Sequence, residues 1–164
     1  MWAVSNHRIV GSEDGELYQP AAACGDRFLI NGRDWSGGFS LVEHRLPPRV
    51  LAAPLHRHTR EDEFSFILEG TVTARLGDQE VVAGPGDLVI KPRGEWHTFW
   101  NAGETAARLL EIISPGGLEE LFRCLDQLTE DLSPEELEQT IAPYGCSADM
   151  DGTMALVEKH GLIF

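Results

Sequence analysis

From residue 39 onward, apolar and polar residues alternate in short runs separated by glycine, proline and aspartate, the pattern of half-buried strands. Residues 39–46 follow Gly37-Gly38 and stop at Pro47-Pro48. Residues 63–68 run into Glu69-Gly70, 71–76 into Gly77-Asp78, and 80–83 into Gly84-Pro85-Gly86-Asp87. Residues 88–91 are cut by Pro92-Arg93-Gly94, and 97–101 and 108–113 complete the set. Turn signals at about every ten residues predict a β-sandwich or barrel. Upstream, Phe28-Leu29-Ile30 ends at the turn signal Asn31-Gly32 and belongs to no longer pattern.

After Ser114-Pro115-Gly116-Gly117 the period changes. Leu118, Leu121, Phe122, Leu125 and Leu128 fall at helical spacing with acids between them. A second helix is expected from Ser133, a favourable N-cap with Pro134 at N1 and Glu136 placed to complete a capping box. A third, over about 153–160, should stop at Gly161. The expected organisation is an N-terminal segment with short strands (1–35), a β-barrel (36–114) and an acidic helical tail (115–164). The apolar stripe of that tail is expected to pack on the barrel as core.

The 164 residues suffice for one domain with its own core, and 42% hydrophobic and 24% charged content excludes collagen-like, coiled-coil and disordered classes. Thirteen basic against 27 acidic residues leave a formal charge of −14. A surface that acidic repels phosphate backbones and anionic headgroups, so neither nucleic acid nor a membrane surface is an expected partner. Residues 115–164 carry −9 of that charge. Cys24, Cys124 and Cys146 are too few and too scattered for a disulfide framework, and no CxxC or Cys/His spacing joins them to a metal. They read as partly buried thiols in a reducing compartment. The first eight residues lack an apolar leader core, and no run approaches a membrane-spanning length. A cytoplasmic location is the expectation.

The chemistry concentrates in Pro54-Leu55-His56-Arg57-His58-Thr59-Arg60-Glu61-Asp62-Glu63. On a strand, positions i and i+2 share a face, so His56 and His58 project together. Glu63, opening the next strand, can add a carboxylate from beside them, and His97 a third imidazole from across the barrel. Three imidazoles and a carboxylate suit a divalent first-row transition metal (Fe, Ni, Mn, Co or Zn) better than Ca²⁺ or Mg²⁺. Parity places Phe99 and Asn101 with His97, and Ser65 and Ile67 with Glu63, predicting a mostly apolar lumen for a small molecule. Glu43 and His44, on opposite faces of one strand, read as solvated surface residues rather than as partners of a ligand histidine.

These residues resemble both signature motifs of the cupin superfamily. The first, His-x-His, four residues, Glu, six residues, Gly, is met by His56, His58, Glu63 and Gly70. The second, Gly, five residues, Pro-x-Gly, two residues, His, three residues, Asn, is met by Gly86, Pro92, Gly94, His97 and Asn101. A glycine often found six residues before the first histidine is Val50 here. The resemblance covers roughly residues 36–114. It implies a double-stranded β-barrel, or jelly roll, holding a metal on His56, His58, Glu63 and His97.

The Gly-Gly-Phe-Ser-Leu-Val-Glu stretch and the spacing around His56 resemble quercetin-dioxygenase-like single-domain cupins. That resemblance implies a metal-dependent dioxygenase acting on a small aromatic or enol-type substrate, with Glu63 as ligand and proton acceptor. A redox-neutral lyase or isomerase and a non-enzymatic metal- or ligand-binding module remain alternatives, and homodimer formation is left open. Asp149-Met150-Asp151-Gly152-Thr153 looks like a phosphatase nucleophile loop or part of an EF-hand. It lacks the following α/β domain of the first and the Asp at position 1 of the second, so helix capping by Asp151 or a neighbour is expected.

Overall fold

The computed structural model describes residues 9–20, 23–128 and 132–164. The first eight residues, on which the reading of the N-terminus rests, lie outside them. Eleven strands among the described residues form two antiparallel sheets. One is ordered β1 (Glu16–Tyr18), β2 (Gly25–Ile30), β3 (Ser40–Leu46), β10 (Ala107–Ser114), β5 (Asp62–Glu69) and β8 (Leu88–Lys91). The other is ordered β11 (Cys146–Asp149), β4 (Leu55–His58), β9 (His97–Trp100), β6 (Val72–Leu76) and β7 (Gln79–Ala83). Leu46, Ile67 and Leu109 of the first sheet meet Val72, Ala74 and Phe99 of the second in one buried cluster, so the core lies between the two inner faces. This is a sandwich of the kind expected from the turn spacing, and it fits the jelly roll that the cupin resemblance implies.

The strand ends fall where the turn residues put them. Gly70 has φ +71°, and a Cβ there would stand 2.7 Å from the Ala106 carbonyl oxygen, so only glycine fits the turn out of β5. At the position where a glycine was expected, Val50 is buried and bridges Ile163, while its neighbour Arg49 takes the left-handed conformation at φ 64°. The turn survives because the residue beside it absorbs the strain, and the valine side chain becomes core.

The tail departs from its expected all-helical content. Helices α1 (Glu119–Asp126), α2 (Pro134–Ile141) and α3 (Met150–His160) form as the periodicity predicts. Ser133 caps α2 within a complete capping box, and Gly161 ends α3 at φ 61°. Between α2 and α3, however, β11 pairs with β4, setting Cys146 opposite His58 and Ala148 opposite His56. Four residues are too few to display alternation; the open edge of β4 makes this segment a strand. Asp149, rather than Asp151, caps α3 by accepting from the Gly152 amide at 2.8 Å. Leu118, Leu121 and Ile141 join Phe28, Val42 and Ile113 in a second buried cluster, so the tail's apolar stripe is core. No helix among the described residues is long and apolar enough to cross a membrane.

On the outer face of the larger sheet, Phe64 pairs with Ile112 and Ile90, and Phe66 with Leu110 and Leu88. Leu88 and Ile90 are about half exposed on the edge strand β8, because that strand turns Val89 and Lys91 inward.

Candidate metal centre

The four expected ligands come together. One ligand atom from each of His56, His58, Glu63 and His97 lies within 4.8 Å of the others. Their arrangement reverses the expected one. His97 is a neighbour of the other imidazoles, since β9 pairs with β4 and sets His97 directly opposite His56. Glu63, on β5, belongs to the other sheet and reaches across the lumen. Strand pairing decides this, and sequence distance does not reveal it.

Backbone carbonyls orient two of the rings. His56 Nδ1 lies 2.7 Å from the Pro54 oxygen and His97 Nδ1 lies 2.9 Å from the Glu95 oxygen. Each Nδ1–H therefore donates to a carbonyl, leaving Nε2 with its lone pair. The Nε2 atoms of His58 and His97 are buried without a hydrogen-bond partner. Leaving buried nitrogens bare costs about 1–3 kcal/mol each, and coordination would satisfy both. Glu63 Oε1 stands 3.6 Å from His58 Nε2, and Oε2 stands 3.3 Å from His97 Nε2, too far for strong hydrogen bonds but suited to a shared ion. The donor set fits a divalent transition metal.

Electrostatics separate the histidines. Burial, together with the neighbouring His97, pushes His56 down to about 3, so it is neutral and ready to ligate. Burial also acts against the charged form of His58, but the carboxylates of Glu63 and Glu61 outweigh it and raise its pKa. Glu63 would be raised by burial, yet Lys91 and the two histidines hold it well below the usual carboxylate range.

Sequence reasoning missed Lys91 and Glu111. Lys91 Nζ is buried 2.9 Å from Glu63 Oε2 and 2.7 Å from Glu111 Oε2, above the Phe99 ring at 4.6 Å. Ser65 Oγ donates to the same Glu111 oxygen at 2.8 Å. The lumen is thus more polar than expected. A signal was present in the strand phase: Glu111 keeps step with Leu109 and Ile113, and Lys91 with Val89, all inward-facing. Ile67 packs in the core. Asn101 serves a turn, its Nδ2 donating to the Leu46 and Thr105 carbonyls. Phe99 does double duty as core and as cavity wall.

Glu43 and His44 are both buried, correcting their reading as solvated surface residues. Glu43 is caged by Arg27 and Arg45, while His44 faces the lumen. Cys24, the Asp26 carboxylate and His44 also converge, a grouping their sequence spacing does not suggest. It arises because β2 pairs with β3 and places Asp26 opposite His44. A cavity of about 190 Å³ joins this group to the candidate metal centre, lined by His56 and Glu63 at one place and by Asp26 and His44 at another. Leu121, Phe122 and Leu137 of the tail form part of its wall.

Comparison with known proteins accords with this geometry. The family model described as "Cupin domain" matches residues 42–113, a stretch containing all four candidate ligands. Tetracenomycin polyketide synthase protein TcmJ of Streptomyces glaucescens is 30% identical over 60 residues, 37% of this chain and 40% of that protein. The chain therefore spans less than half the length of that curated relative. Among solved structures, a predicted oxalate decarboxylase from Thermotoga maritima superposes with TM-score 0.60 at 22% identity, covering 65% of this chain and 98% of that one. An RmlC-like cupin from Shewanella frigidimarina gives TM-score 0.57 at 16% identity, covering 70% and 96%. Likenesses this distant concern the fold alone. Residues 42–113 thus match the cupin domain model, the fold is of the cupin jelly-roll type, and the His/Glu cluster could hold a divalent metal.

Proposed function

We propose that the chain is a metal-dependent enzyme of the oxygenase type acting on a small aromatic or enol-type molecule, with His56, His58, His97 and Glu63 as metal ligands. The observation that carries this reading is the pair of buried, unpartnered Nε2 atoms beside a cavity that His56 and Glu63 line. A scaffold module needs neither the bare nitrogens nor the cavity. A divalent metal held there would act as a Lewis acid, lowering the pKa of a substrate hydroxyl. Glu63 is the nearest carboxylate able to accept that proton. Lys91 keeps it ionised, and a base held so low takes a proton only transiently. The apolar walls exclude water from the ring of the substrate.

The cavity also narrows the substrate. An apolar cavity of about 150 Å³ holds a benzene-sized molecule, so about 190 Å³ accommodates one substituted ring, and a three-ring flavonol would protrude. The test is metal analysis of protein purified without chelator, then oxygen uptake over catechols, diketones and flavonols. Oxygen consumption with one-ring substrates supports the reading; turnover without oxygen supports a redox-neutral lyase or isomerase instead.

The same proposal includes a homodimer. The apolar strip around Phe66, Leu88 and Ile90 ends at an open strand edge, a self-complementary arrangement for a second copy. Ile90→Lys should then halve the mass measured by light scattering.

A further inference from the structure

The polar group of Cys24, Asp26 and His44 is used by none of the chemistry proposed above. Asp26 Oδ1 lies 2.7 Å from His44 Nδ1, and Cys24 Sγ lies 3.6 Å from that oxygen and 3.8 Å from that nitrogen. The three could surround an ion, but their polar atoms already satisfy one another, whereas the Nε2 atoms of His58 and His97 stand bare.

Two atoms next to this group are unsatisfied. With Nδ1 committed to Asp26, the other nitrogen of His44, Nε2, has no hydrogen-bond partner among the described residues, and the ring lines the cavity. Asp126, at the end of α1, lines the same cavity, and its Oδ2 is buried without a hydrogen-bond partner. Phe99 relates this group to the metal cluster: its ring centroid is 5.6 Å from that of His44, and its ring is 4.6 Å from Lys91 Nζ, which holds Glu63.

The titratable groups facing His44 are Asp26 and Cys24 on the β2 side, Asp126 on α1 and Glu111 on β10. Burial would pull His44 down, but Asp26 outweighs it and keeps the ring protonated, with Nε2–H as a donor. Burial and the nearby Asp26 push Asp126 up to about 7, so near neutral pH its carboxyl is present in both protonation states, and above it Oδ2 is an acceptor that lacks a donor.

We propose that His44 and Asp126 form a hydroxyl-recognition subsite of the cavity, distinct from the histidine cluster, for a second phenolic or enolic hydroxyl of an uncharged ring-sized ligand. The inference rests on the cavity being a substrate site. A hydroxyl accepts from Nε2–H and donates to the carboxylate, satisfying both orphaned atoms without adding charge. A carboxylate placed there would face Asp26, Asp126 and Glu111. A plain hydrocarbon would leave both polar atoms unpaired at full desolvation cost.

The test uses the metal-loaded full chain and three probes: phenol, resorcinol and benzoate. Resorcinol should bind at least about tenfold more tightly than phenol, the gain expected of a hydroxyl bonded to charged partners. In His44→Leu and in Asp126→Leu that ratio should fall to within about twofold, with phenol affinity kept. Asp126→Leu stands at a half-buried helix end and keeps the test valid if the core variant folds poorly. A ratio near one in the unaltered protein, or a ratio unchanged in both variants, overturns the inference. So does benzoate binding more tightly than resorcinol in a His44-dependent manner. A sulfur-to-cobalt charge-transfer band lost in Cys24→Ser also overturns it, since the group would then be a metal site. Loss of oxygen uptake with the ratio intact breaks only the functional reading. A ratio near one in the unaltered protein, or unchanged in both variants, with oxygen uptake intact breaks only the subsite.

Discussion

The cavity has two polar regions built from the same residue types, and they differ in how those residues are satisfied. At the histidine cluster, the Nε2 atoms of His58 and His97 are buried without hydrogen-bond partners, and the carboxylate of Glu63 stands at 3.3–3.6 Å from them. At the His44 cluster, imidazole and carboxylate have closed to 2.7 Å. Spacing wide enough for an ion, with lone pairs left bare, suits a metal; a closed His–Asp pair suits holding a proton. Residue type does not distinguish the two regions, and hydrogen-bond accounting does.

The largest expected effect sets the regions apart most sharply. His58→Ala and His97→Ala should lose most bound metal, measured by elemental analysis, while His44→Gln retains it. Equal metal loss in all three would erase the distinction. Next, Glu63→Gln keeps the shape and one acceptor oxygen but removes charge and basicity. Turnover of a confirmed substrate should fall by about 10²–10⁴-fold while much of the metal stays, as expected of a lost general base. Near-normal turnover would reduce Glu63 to a ligand.

Lys91→Met would leave Glu111 buried with no cationic partner and Glu63 with only the neighbouring histidines. Breaking a buried pair in this way costs about 3–5 kcal/mol, readable as a shift in urea midpoint. A small shift would mean that Glu111 simply takes up a proton, as its raised pKa favours.

The smallest effect concerns Asp126. Its carboxyl ionises near 7 in the fold but near 3.9 when unfolded. Between about pH 4 and 7 the folded state holds the extra proton, so stability falls as pH rises through that window. Three pKa units would be about 4 kcal/mol, and partial exposure screens this to about 1–2 kcal/mol. Asp126→Leu should therefore be more stable than the unaltered protein at pH 8 and nearly equal to it at pH 4, by denaturant titration. A gain independent of pH would assign the effect to packing instead.

How far the sequence reaches differs between the same two regions. The strand set from residue 39 to 113 and the His-x-His, Glu and His positions were legible because each is a local pattern. Turn residues punctuate the strands, and two-residue parity puts His56 with His58 and Glu63 with Ser65 and Ile67. Within the tail, Ser133, Pro134 and Glu136 announced α2 for the same reason: a helix cap is completed within a few residues. Lys91 and Glu111 were half legible, since their strand phase points inward, although nothing local says that they pair.

The remainder depended on which strands become neighbours. That His97 sits beside His56 while Glu63 crosses the lumen follows from sheet order. That Asp26 meets His44 follows from the β2–β3 register. The strand at Cys146–Asp149 exists because β4 offers an open edge, and Asp126 reaches the cavity because α1 packs over it. Local chemistry fixed the identities of the candidate ligands and their spacing along each strand. Only long-range pairing, driven by burial of apolar faces that many sequences could share, decided which of those groups meet and which are left bare.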